Sequence, residues 1–131
     1  MVISIIYPYV HNNNERVRMF ENIIADLLGV TGVKGVYIAD PEGTLIESES
    51  LGTIDDEICA ALVVEIFNKA SEICEKLSSD ALELITLEGK KERLLVSKAG
   101  NFILGVVADI KTNYGLLKIE MKKAVDKASM V

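Results

Sequence analysis

Between Ile58 and Val64 the chain carries seven consecutive apolar residues, inside a stretch whose flanks (Glu57, Glu65, Asn68 and Lys69) are ordinary helix surface. A helix that is apolar all round belongs in the middle of a large core or in a membrane. A chain of 131 residues has room for one domain, and the run is far shorter than the roughly 20 residues of a membrane span. Something other than a single small sheet must cover this helix.

The helix itself is well marked. Thr53-Ile54-Asp55-Asp56 reads as a capping box, with two acids in the first turn where the helix dipole favours them. The pattern continues to about Leu77. At 100° per residue, Leu62, Ile73, Ile66, Cys59, Ala70, Val63, Cys74 and Phe67 form one broad face. Glu57, Asn68, Glu72, Glu75 and Lys76 lie opposite, and Ala60, Ala61 and Val64 fall in or beside that polar sector.

Before this helix, Asn12-Asn13-Asn14-Glu15 reads as another capping box, opening an amphipathic helix with Val17, Phe20, Ile24 and Leu27 as its stripe and Gly29 as its stop. Residues 1–11 are set apart as an N-terminal extension, a short extra strand or a segment lying on a partner, and residues 12–131 as the domain. MVISIIYPYV has neither the basic start of a signal peptide nor the length of an anchor. Val33 to Ala39 and Thr44 to Ser48 form a hairpin through Asp40-Pro41-Glu42-Gly43. Three more strands follow, Leu82 to Leu87, Arg93 to Lys98 and Asn101 to Ala108, joined by connections short enough for antiparallel hairpins. Thr112 or Asn113 opens a last helix with Leu117, Met121, Ala124 and Ala128 as its stripe. The expected fold is α+β: a five-stranded antiparallel sheet between one long helix on one face and two terminal helices on the other.

The inventory for catalysis is thin. The single histidine, His11, sits in a polar run, and no metal-ligand spacing, phosphate-binding loop or dinucleotide fingerprint is present. The glycines of 29–35 lack the Gly-Lys-Ser/Thr ending of a phosphate loop. Cys59 and Cys74, fifteen residues apart on one helix, would stand ~22 Å apart, beyond disulfide reach. They read as small apolar side chains in a reducing cytoplasm. A net charge of −6 disfavours nucleic acid as a partner. The expectation is a cytoplasmic, noncatalytic protein with no cofactor, no metal and no membrane insertion.

The apolar excess points to an interface. LELITL, guarded only by Glu83, would be hazardous at a sheet edge unless another strand pairs with it. A two-fold axis could set two long helices antiparallel and continue the sheet across subunits. The hairpin Gly32-Val33-Lys34-Gly35 through Asp40-Pro41-Glu42-Gly43, the alanine-rich second helix, and the closing DIKTNYGLLKIE with Asn113, Gly115 and Leu116 together resemble a Roadblock domain over about residues 15 to 128. That family includes the dynein light chain and MglB-type regulators of small Ras-like GTPases. The resemblance implies a homodimer made through the long helices and the following edge strand, here Cys59, Val63, Phe67, Cys74, Leu84, Ile85 and Thr86. It also implies a GTPase-facing sector made of Glu57, Ala60, Ala61, Val64, Glu65 and Asn68, where small side chains would let a partner approach closely. A purely structural dimerisation subunit is the rival reading.

Overall fold

The computed structural model describes residues 2–78 and 80–130, with side chains from Asn14 onward. Its elements are α1 (Val2–Leu28), β1 (Val33–Ala39), β2 (Leu45–Ser50), α2 (Asp56–Ser78), β3 (Leu84–Glu88), β4 (Glu92–Ala99), β5 (Phe102–Asp109) and α3 (Tyr114–Ala128). All five strands pair antiparallel in the order β2-β1-β5-β4-β3. The fold is the expected α+β sandwich, with α2 on one face of the sheet and α1 and α3 on the other.

The two faces have separate cores. Against α1 and α3 lie Val36, Ile38, Leu95, Leu104 and Val106, with Phe20, Ile23, Leu27, Leu117, Met121, Ala124 and Ala128 from the helices. Phe20 meets Phe102 edge-on at 4.8 Å between ring centroids, a geometry favoured by the ring quadrupoles. The α2 side is smaller: Ala39, Val96 and Ile103 from the sheet, and Ala60, Val63, Val64 and Phe67 from the helix. Strands buried on both faces explain why β1 and β5 read as nearly continuous apolar runs.

Three expectations are corrected. The first ten residues are not a strand; α1 begins at Val2, and Asn12 lies inside it rather than at its cap. Once a helix is under way, propagation outweighs the mild preference of Asn for a cap, and Asn12–Glu15 holds no Gly or Pro to stop it. At α2, Asp55 rather than Thr53 is the cap: its Oδ1 accepts the Glu57 amide at 2.8 Å. Asp56 cannot reach back to Thr53, because its carboxylate accepts the hydroxyls of Ser48 (2.8 Å) and Ser50 (2.6 Å). β3 starts at Leu84, two residues late, while Leu82 packs at the margin of the α2 core.

Gly105, central in β5, decides how α2 sits. A Cβ there would come within 2.9 Å of both γ-carbons of Val63, so the bare glycine lets Val63 rest directly on the strand. Gly105→Ala should cost about 1–3 kcal/mol by overpacking, read as a lower urea midpoint. In the double variant with Val63→Ala the loss should be clearly less than the sum of the two single losses; strict additivity would show that the contact does not set the helix position.

Candidate functional site

The side of α2 turned away from the sheet is the most unusual surface of the molecule. Ala60, Val63, Val64 and Phe67 point inward, so the buried face is rotated by roughly a quarter turn from the broad apolar face counted on the sequence. Ile58 (56% exposed), Leu62 (56%), Ile73 (55%) and Leu77 (81%) are left outside. The helix also sits off-centre: it packs on β1, β2 and β5 and meets β4 only weakly. The α2-side surface of β3 and β4 is therefore half bare, with Ile85 and Leu94 only partly buried and Leu87 44% exposed.

The two flanks of α2 differ in chemistry. On one, Ile58, Leu62, Ile66, Ile73 and Leu77 form an apolar strip. On the other, Glu57, Ala61, Glu65 and Asn68 are exposed beside the β1–β2 turn. Gly43 (φ +95°) packs that turn against the helix, where a Cβ would stand 3.6 Å from Ala61 Cα. Asp40 builds the turn, its Oδ1 accepting the amides of Glu42 and Thr44 at 3.0 Å each. Near its C-terminal end the helix is neutralised, since Lys69 and Lys76 both reach Glu72 (3.7 and 3.1 Å). Glu57 and Glu65 make no ion pair among the described residues.

This redistributes the expected contact residues. Glu57, Ala61, Glu65 and Asn68 are exposed as expected. Ala60 and Val64 are not: they are 0% and 2% exposed and belong to the protomer's own core. Val63 and Phe67 are likewise buried against the sheet. Their inward position follows from Gly105, which admits Val63, and from the small Ala60, which lets the helix axis come close. Cys59 and Cys74 are half-buried free thiols. Leu84, Ile85 and Thr86 lie on β3, a true edge strand. Of these, Thr86 is tied to the Tyr114 phenol at 2.8 Å, while Leu84 and Ile85 pack against opposite cores.

Sequence reasoning set Leu62 and Ile73 in the broad apolar face of the helix and gave Ile58 and Leu77 no role in an interface, although the spacing of the four held a signal. The positions are symmetric about the point between Phe67 and Asn68, so an antiparallel copy of the helix sets Ile58 opposite Leu77 and Leu62 opposite Ile73.

The Roadblock/LC7 domain profile matches residues 19–108. The chain belongs to the Roadblock/LC7 family. Two uncharacterised proteins of Methanocaldococcus jannaschii are 32% and 33% identical to it over 109 residues, covering 83% of this chain and 96% and 92% of theirs. MglB of Myxococcus xanthus shares the fold with a TM-score of 0.76 and 26% identity over 85% of this chain and 94% of its own. An MglB in a tetrameric arrangement superposes with a TM-score of 0.77 at 19% identity, over 86% of each chain. Among the described residues no helix of this family member is long and apolar enough to cross a membrane.

Beneath the first turn of α2 lies Tyr37, 4% exposed. Burial pushes its phenol above the ordinary value near 10; Ser50 partly opposes the shift, while Cys59 and the charge of Asp56 add to it. A raised folded-state value means its contribution to stability is fully present below about pH 10 and is lost as pH rises through that higher value. In a titration followed by phenolate absorbance, Tyr37→Phe should remove a phenol that ionises above the ordinary value near 10 and blunt the loss of stability above about pH 10. Ionisation of Tyr37 at or below the ordinary value near 10 would contradict this.

Proposed function

We propose that the chain works as a homodimer that binds a small Ras-like GTPase and has no chemistry of its own. The observation that carries the dimer is the pairing of an off-centre α2 with a self-complementary apolar strip. A second α2, antiparallel to the first, would cover Ile58, Leu62, Ile73 and Leu77 and the bare surface of β3 and β4 together. Exposed apolar strips of this kind mark interfaces, and two-fold contacts require self-complementary patches. The GTPase rests on the family resemblance and on the likeness to MglB. Its docking sector is the other flank of α2, Glu57, Ala61, Glu65 and Asn68 beside the β1–β2 turn, which stays open when the apolar flank is covered.

Action by positioning the GTPase's own residues suits this surface better than an arginine finger. Arg93, with 11% of its side chain exposed, bonds Glu88 and lies 4.6 Å from the Tyr114 ring centroid. Arg16 lies 5.1 Å from the Phe102 ring centroid, on the α1–α3 side. From residue 35 to 68 there are eight Asp and Glu and no Lys or Arg, so the partner's contact surface should be basic and the association weakened by salt.

Light scattering should give twice the 14.3 kDa chain mass. Leu62→Glu and Ile73→Lys should each be monomeric alone and dimeric when mixed, because the antiparallel register places residue 62 opposite residue 73. Retention of the dimer by both single variants would overturn this interface.

For the GTPase, purified Ras-like GTPases from the same genome would be tested with a GTP analogue and with GDP. Preferential binding of the GTP form, weakened about tenfold by Glu57→Lys with Glu65→Lys, is expected. Equal binding of both forms, or none, would favour the structural subunit.

A further inference from the structure

We draw no further inference here: the strongest candidate, the groove between α3 and β3 lined by Leu84, Met121 and Val125, carries nothing, because lysines and the acids Glu83 and Asp126 are interspersed along it and nothing in the structure shows what covers it.

Discussion

The contact between Val63 and the bare backbone of Gly105 governs the α2 side of this molecule. With no side chain at that point of β5, the helix can sink onto the sheet at Val63, and the small Ala60 permits the same approach one turn earlier. Close packing then fixes the rotation of the helix, because a packed interior tolerates neither a gap nor an overlap of a methyl group. Once Val63 and Phe67 face inward, Ile58, Leu62, Ile73 and Leu77 have no place in the protomer. The exposed strip is a consequence of how the core is packed.

The treatment of the two sheet edges fits the same picture. β2 carries Glu47 and Glu49 and a register shift opposite Ile38 and Ala39, devices that discourage pairing with another chain. β3 is Leu-Ile-Thr-Leu before its first charge at Glu88. Only one edge is guarded, and the unguarded one lies beside the half-bare surface of β3 and β4. A twin placed against α2 would therefore meet an open strand as well as an apolar strip.

Much of this was legible in the sequence, and the misplaced residues of α2 share a cause. The element order, the antiparallel sheet and the α3 stripe follow from short connections and clean periodicity, and Leu117, Met121, Ala124 and Ala128 are all buried as counted. Periodicity failed at α2 because its apolar arc is wider than one sheet can cover. A count of angles locates such an arc but does not say which part of it faces inward. That choice belongs to Gly105, some forty residues away in sequence, whose role is visible only after the strands are ordered. Ala60 and Val64 turn inward for this reason, although their angles set them in or beside the polar sector.

The division of α2 into two flanks also bears on how a dimer and a third protein could share one helix. The apolar flank faces the β3 side and the acidic flank faces the β1–β2 turn, so occupation of one does not obstruct the other. The cost of exposing the acids together is small while they remain solvated, but they would repel one another if two acidic flanks were brought face to face. Charge therefore opposes pairing through the wrong flank while the apolar strip favours pairing through the right one. Attraction on one side of the helix and repulsion on the other specify the same arrangement.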